Sequence, residues 1–163
     1  MLSRETIARA EQVLELCRSR GLKVATVESC TGGLVCAALT AVAGSSDVVE
    51  RGFVTYTNDS KTAMVRVPRE QIESIGAVSE AVAIAMAEGG LEMSDADIAV
   101  AVTGIAGPGG ATPTKPVGLV HIAAIRRPGQ VLHRRHEFSG DRTAVREAAV
   151  IAALDIIARL AAE

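Results

Sequence analysis

The chain has 163 residues, a length that fits one domain, because single domains typically contain about 100–200 residues. Hydrophobic residues make up 48% and charged residues 22%, which is the composition of an ordered protein with a core to bury. The formal net charge of -2 and the aromatic content of 2% argue against nucleic-acid binding, which needs basic surface and stacking platforms. We therefore expect one domain, residues 1–163, with no nucleic-acid partner.

The cysteines and the first residues indicate the compartment. Cys17, Cys30 and Cys36 are odd in number and lack the paired spacing of a zinc site. The N-terminus is charged where a signal peptide needs an apolar core, and no apolar run is long enough to span a bilayer. These features predict a cytoplasmic protein without a disulfide framework, structural metal or membrane association.

The first half of the chain predicts two helices and two strands. Hydroxyl caps and apolar positions three or four residues apart mark the helices, and β-branched runs mark the strands. The elements are a helix from Ser3 to near Gly21, a strand over 23–28, a turn over 29–33, a helix over about 34–42 and a strand over 52–57. Lys61 follows the second strand, in a predicted loop.

The second half predicts three more helices and three more strands. They are a helix from Pro68 to Gly76, a helix capped by Ser79, a strand over 98–102, a hairpin of strands over 117–125 and 131–138, and a helix from Asp141 to the end. The unbroken apolar run at 98–102 is typical of a central strand covered on both faces. The charged second hairpin strand is typical of an exposed edge. This order predicts an α/β sandwich with a mainly parallel sheet and one antiparallel strand.

The first candidate site is the segment from Glu28 to Gly33, which turns from a strand into a helix. Free amides at a helix start attract phosphate or carboxylate, and glycine lets a ligand approach the backbone. The simpler interpretation is that Ser29 or Thr31 only caps the helix.

The second candidate site combines Ser45 and Ser46 with Tyr56 and Lys61, which we expect to face one crevice. A serine nucleophile needs a base, and a lysine of lowered pKa, or a tyrosine whose proton that lysine withdraws, can act without histidine. The alternative is a loop serine, an ordinary strand tyrosine and a solvated lysine, since isolated residues of these types are usually not catalytic.

Other groups offer weaker candidates. The segment 104–110 is glycine-rich, but Pro108, Pro113 and Pro116 prevent the helix that a dinucleotide site requires, so we predict a substrate-facing loop. The three histidines have no metal-ligand spacing, and we expect neither metal nor organic cofactor. Cys30 ranks below the serines as a nucleophile. Arg142 either clamps a phosphate or carboxylate or forms a surface ion pair.

Taken in order, these segments resemble the CinA C-terminal-domain family. The resemblance covers the chain from about the first helix to the C-terminus, and such a series is far more specific than any single motif. The matching blocks are 27–33 (VESCTGG), 44–46 (GSS), 51–58 (RGFVTYTN) with Lys61, 76–80 (GAVSE), 103–110 (TGIAGPGG), 115–118 (KPVG) and 138–142 (FSGDR).

The resemblance implies a nicotinamide-nucleotide amidase with a three-layer α/β/α fold and a five-stranded mixed sheet. It implies no metal or cofactor, and family members that look dimeric, together with the apolar last helix, predict a homodimer or other homo-oligomer. Larger family members carry an additional N-terminal domain whose roles we do not transfer, and this chain is expected to be the stand-alone deamidase. A binding module of the same fold without chemistry is the alternative.

The resemblance also implies the site residues. Ser46, Tyr56 and Lys61 match the catalytic centre, with Ser29 beside them, and we favour Ser46 as the nucleophile. Lys61 and Tyr56 would move its proton toward departing ammonia. The residues expected to contact substrate are Thr31, Gly32, Gly33, Thr103, Gly104 and Arg142. Amides of the glycine-rich loop would hold the oxyanion, and either the turn at 31–33 or Arg142 would hold the phosphate.

Overall fold

Five strands and six α-helices form three layers in the computed structural model, which describes residues 2–163. The strands are β1 (Val24–Glu28), β2 (Val49–Val54), β3 (Ile98–Gly104), β4 (Leu119–Arg126) and β5 (Gln130–Glu137). The helices are α1 (Arg4–Ser19), α2 (Leu34–Thr40), α3 (Asn58–Val65), α4 (Arg69–Ile75), α5 (Glu80–Glu92) and α6 (Arg142–Ala162). A short 3₁₀ turn, Ser45–Asp47, lies between α2 and β2.

The predicted helix starts at Ser3, Ser79 and Asp141 are confirmed. Each of these side chains accepts a hydrogen bond from the backbone amide three residues later, at the start of α1, α5 and α6. Such caps satisfy amides that have no partner within the helix. Because cap residues act locally, sequence alone is enough to place these starts.

The region around Lys61 differs from the prediction. β2 begins and ends three residues earlier than expected, and Lys61 lies within α3 rather than in a loop. Thr57 caps α3 through a capping box with Ser60, in which each side chain accepts a hydrogen bond from the other residue's amide. The residues just before Asn58 therefore connect β2 to a helix, although their alternating pattern is typical of a strand.

The sheet has the order β2-β1-β3-β4-β5. β1 pairs in parallel with β2 and β3, whereas β4 runs antiparallel to both of its neighbours. Four strands therefore point one way and β4 the other, with β3 in the centre and β5 at an edge. The predicted mixed sheet, central strand, hairpin and charged edge strand are all confirmed.

Alternate residues of β3 divide the core into two halves. Val100 and Val102 pack in a cluster with α1, α2 and α6, whereas Ala99 and Ala101 pack in a second cluster with α3, α4 and α5. The carboxyl ends of β1, β2 and β3 meet at one end of the sheet, where ligands of open α/β sheets bind.

The apolar face of α6 is buried within the chain itself. Val145, Ala149 and Leu160 are fully buried in the cluster that α6 forms with α1, β3 and β4. This face therefore gives no reason to expect a partner chain, and the homo-oligomer prediction stands on the family resemblance alone. Within residues 2–163, no helix combines the length and the apolar character needed to cross a membrane.

Candidate active site

Ser29 and Lys61 meet at the carboxyl end of β1. Ser29 directly follows β1, and its amide donates to the carbonyl of Val102 at 2.9 Å, which extends the pairing with β3. Lys61 approaches from α3, and its Nζ lies 3.0 Å from Ser29 Oγ and 3.0 Å from the carbonyl oxygen of Thr55. Lys61 is only 1% exposed, so this contact is shielded from solvent.

Burial lowers the pKa of the Lys61 amine below its ordinary value of 10.5, with a smaller opposing contribution from the Cys30 thiol. Burial raises the pKa of that thiol to about 11, so Cys30 is protonated and uncharged at neutral pH. At neutral pH, burial is therefore the dominant influence on the pKa of Lys61. The same protonation makes Cys30 a poor nucleophile, in agreement with its low rank among the candidates.

Ser46 lies at the opposite end of the sheet from this contact. Its 3₁₀ turn precedes β2, and the carbonyl of Val48 accepts a hydrogen bond from Val24 at the start of β1. The six residues of β2 separate this turn from Tyr56 by roughly 20 Å, at about 3.3 Å per residue. The expectation that Ser46 shares a crevice with Tyr56 and Lys61 is wrong, because the loops before and after a strand lie at its two ends.

A cavity of about 220 Å³ opens beside Ser29. Its walls come from the turn after β1, the segment after β2, the glycine-rich loop after β3 and the start of α6. The lining residues are Ser29, Cys30, Tyr56, Gly104, Ile105, Ala106, Gly107, Gly109, Gly110 and Arg142. The glycine-rich loop is thus placed beside the candidate nucleophile, as a substrate-facing loop must be.

Tyr56 and Arg142 form the outer wall of this cavity. The Arg142 guanidinium donates to the Tyr56 hydroxyl at 2.8 Å and to the carbonyl of Gly107 at 2.8 Å. The Tyr56 side chain is 55% exposed, and it forms no hydrogen bond with Lys61 or Ser29 in the described chain. The structure therefore places Tyr56 with Arg142 rather than in a proton path with Lys61.

The glycine-rich loop presents unused backbone donors. The amides of Ala106, Gly107, Gly109 and Gly110 donate to no acceptor within residues 2–163. Gly107 has a φ of +84°, a conformation that favours glycine. These amides remain available for a substrate oxygen, which fits the predicted oxyanion role of this loop.

Gly104 and Thr103 lie at the end of β3. A Cβ on Gly104 would lie 2.7 Å from Cγ2 of Val120, so only glycine fits against β4 here. The buried Thr103 hydroxyl donates to the carbonyl of Ala77 at 2.8 Å, and it holds the segment that leads into α5. The contact of Thr103 with substrate stays a prediction.

The turn at 31–33 has fewer free backbone donors for a phosphate than the sequence predicts. The amide of Gly33 donates to the Glu28 carboxylate at 3.0 Å, and the amide of Gly32 donates to the carbonyl of Ser29 at 3.0 Å. Thr31 is fully buried, and none of the three residues lines the cavity. Of the two phosphate sites that the sequence analysis left open, this turn and Arg142, the partners of these glycine amides favour Arg142.

Two residues support this site in ways that the sequence analysis did not predict. Glu28 is buried and binds the start of α2, and Arg146 donates to the carbonyls of Cys30 at 3.1 Å and Thr31 at 3.0 Å. Glu28 was part of the first candidate site, and its need for partners follows from a carboxylate that ends a buried strand, but its contact with α2 was not predicted. Arg146 follows Arg142 by one helical turn, but nothing in its own sequence context marks it.

The histidines lie apart from this cavity. His121 Nδ1 lies 3.0 Å from His133 Nε2, and burial lowers the pKa of His121 to about 4. None of the three histidines lines the cavity. In the part of the chain that the structure describes, no group of three or more His, Cys, Asp or Glu side chains is placed to hold a metal ion.

A family model for the CinA C-terminal domain matches residues 6–161. The chain belongs to this family. A relative from Escherichia coli K12, named nicotinamide-nucleotide amidohydrolase PncC, is 46% identical over 157 residues, which are 96% of this chain and 95% of that protein. A solved structure described as competence/damage inducible protein CihA from Agrobacterium tumefaciens is 48% identical, with a TM-score of 0.96 over 98% of both chains.

Other members of the CinA family are longer. A CinA-like protein from Citrifermentans bemidjiense is 49% identical over 144 residues, which are 88% of this chain but 34% of that protein. The chain thus spans about a third of the length of some curated relatives and nearly the full length of others.

Proposed function

We propose that this CinA domain hydrolyses the carboxamide of nicotinamide mononucleotide to give nicotinic acid mononucleotide and ammonia, a reaction of pyridine nucleotide recycling. The Escherichia coli relative, a named nicotinamide-nucleotide amidohydrolase that the chain matches along nearly its full length, supports this substrate. The observation that carries the reaction type is the buried contact of 3.0 Å between Lys61 Nζ and Ser29 Oγ. A hydroxyl beside a desolvated amine is an activated nucleophile.

In the first half of the reaction, Ser29 Oγ bonds to the carboxamide carbon while its proton passes to the neutral amine of Lys61. The bond from carbon to the amide nitrogen then breaks. Lys61 returns the proton to that nitrogen, which leaves as ammonia. An ester between Ser29 and the nicotinoyl group remains. This assignment replaces Ser46 by Ser29, because only Ser29 lies next to the lysine.

In the second half, water attacks the ester carbon and gives one proton to Lys61. The bond between that carbon and Ser29 Oγ breaks, and Lys61 returns the proton to the serine oxygen, which releases the acid. In both halves the carbonyl oxygen gains negative charge. The free amides of the loop at 106–110 are the donors that we assign to that oxygen.

The phosphate belongs with Arg142 in this proposal. Among the described residues that line the cavity, only Arg142 carries a charge. The cavity of about 220 Å³ is smaller than the roughly 300–1,000 Å³ of pockets that enclose whole drug-sized ligands. We therefore place the pyridine ring inside, against Tyr56, and the ribose phosphate outside, where the Arg142 guanidinium is exposed.

The test is release of ammonia from nicotinamide mononucleotide by the purified protein, with Ser29→Ala as the matched control. We expect release by the wild type and none above background by the variant. A wild type that binds the nucleotide in a calorimeter but releases no ammonia would instead support the alternative, a binding module of the same fold. We also propose that the protein is cytoplasmic and that it forms a homodimer or other homo-oligomer. Light scattering at micromolar concentration tests the oligomeric state.

A further inference from the structure

Glu28 holds the start of α2 from the end of β1. Its carboxylate accepts hydrogen bonds from the amides of Gly33 at 3.0 Å, Val35 at 3.0 Å and Cys36 at 2.8 Å. The side chain is 1% exposed. Three donors satisfy a buried carboxylate that would otherwise be costly to desolvate.

α2 depends on this carboxylate because it has no cap of its own. Its N-cap residue is Gly33, with a φ of +97° and no side chain to accept a hydrogen bond. The amides at a helix start carry partial positive charge and need acceptors. Glu28 supplies that acceptor from an adjacent strand, and it thereby fixes both ends of the turn that contains Ser29.

The position of Ser29 follows from the same anchor. Successive residues of an extended chain point to opposite faces of a sheet. The Glu28 carboxylate lies on the α2 side, so the next residue points to the α3 side, where Lys61 Nζ meets Ser29 Oγ. Tilting or shifting residue 28 would therefore move Ser29 relative to Lys61.

We propose that Glu28 is a positioning residue for the Ser29 nucleophile, which acts through its charged hydrogen bonds to the α2 amides. The proposal rests on the amidase function for its kinetic readout. Its chemical readout is independent, because a fluorophosphonate reports the reactivity of Ser29 with any electrophile. In that reaction the bond from Ser29 oxygen to phosphorus forms, the bond from phosphorus to fluorine breaks, and fluoride and the serine proton leave.

The first experiment compares wild type with Glu28→Gln, which keeps the side-chain shape but loses the charge and turns a donor toward the amides. We expect both kcat and the labelling rate to fall by about a hundredfold, the scale of a misplacement near 1 Å, while KM stays within about twofold. Circular dichroism checks folding. A folded Glu28→Gln protein with wild-type kcat and labelling would overturn the proposal.

The second experiment uses Glu28→Ala, which leaves a carboxylate-sized space beside the three amides. Added formate should raise the labelling rate of Glu28→Ala by at least about tenfold, because small anions bind at helix starts. Formate should not accelerate Glu28→Gln, in which the space is filled, or Glu88→Ala, which removes an exposed glutamate of α5. A purely structural role predicts equal rates with and without formate in folded Glu28→Ala, and that result would overturn the proposal.

The two readouts separate this proposal from the amidase proposal. If wild type is labelled at Ser29 but releases no ammonia from nicotinamide mononucleotide, the amidase function fails, and the labelling rates of the variants still test Glu28. If Glu28→Ala does not fold, Glu28→Asp replaces it, because the shorter carboxylate does not reach all three amides. We expect slow labelling of Glu28→Asp, and a wild-type rate would count against the proposal.

Discussion

The side-chain nitrogen of Lys61 donates to the Ser29 hydroxyl at 3.0 Å inside a buried contact that contains no carboxylate partner for the amine in the described chain. An amine in such surroundings is easier to deprotonate than a solvated one. The same contact therefore governs the reactivity of Ser29 and part of the pH dependence of folding.

The pH dependence of turnover is the first prediction. Protonated Lys61 has no lone pair with which to accept the Ser29 proton, so kcat/KM should rise with pH as the amine loses its proton. The midpoint of this rise should lie below 10.5, because burial lowers the pKa of the amine. Steady-state ammonia release across the neutral and alkaline range measures it. A rate that does not change with pH over this range would contradict the assignment.

Replacing Lys61 by methionine should strongly reduce turnover and stabilise the fold. The methionine keeps an unbranched stem in the buried space but has no base, so kcat should fall by at least about a hundredfold. In the wild type, the folded state binds fewer protons than the unfolded state between the lowered pKa and 10.5. The free energy of unfolding should therefore increase with pH across that window.

Lys61→Met should lose this pH dependence and melt at a higher temperature than wild type at neutral pH, since it buries no charge. Lys61→Arg should also lack activity, because its guanidinium stays protonated and cannot accept the Ser29 proton. Thermal unfolding at several pH values and ammonia release are the measurements. Lys61→Ala is a less suitable variant than Lys61→Met, because alanine would open a cavity at this buried position.

The two serines should respond differently to substitution. Ser29→Ala should lower kcat by at least about a thousandfold, since loss of the nucleophile in a serine hydrolase costs more than that. Ser46→Ala should change it by less than about twofold, because Ser46 is exposed and lies at the far end of the sheet. Parallel assays of both variants decide between the two assignments. A large loss in Ser46→Ala alone would reverse them.

Chelation should not affect the reaction. The proposed steps use only Ser29, Lys61 and backbone amides, so overnight dialysis against EDTA should leave kcat unchanged. Loss of activity after dialysis, followed by recovery with a divalent metal, would exclude the serine mechanism in its proposed form.

The sequence predicts most of this fold because its signals are local. Hydroxyl caps at Ser3 and Ser79 and the apolar run of β3 each depend on a few adjacent residues. The candidate site was harder to predict because it depends on direction and distance. Ser46 precedes β2 and Tyr56 follows it, so strand direction places the two residues at opposite ends of the sheet, and the contact of Glu28 with α2 depends on packing that no local pattern records.

Arg142 provides the last prediction, which concerns substrate selectivity. Its guanidinium is exposed at the mouth of the cavity, held by the carbonyl of Gly107 and the hydroxyl of Tyr56. Arg142→Ala should raise KM for nicotinamide mononucleotide by about tenfold or more, the worth of a hydrogen bond between charged groups. Turnover of nicotinamide riboside, which lacks the phosphate, should change far less.

Tyr56→Phe is the control, because it removes one partner of the Arg142 guanidinium and keeps the charge of that guanidinium. The preference for the phosphorylated substrate should therefore persist in Tyr56→Phe. Equal losses on both substrates in Arg142→Ala would show that this arginine supports the loop at Gly107 and does not bind phosphate.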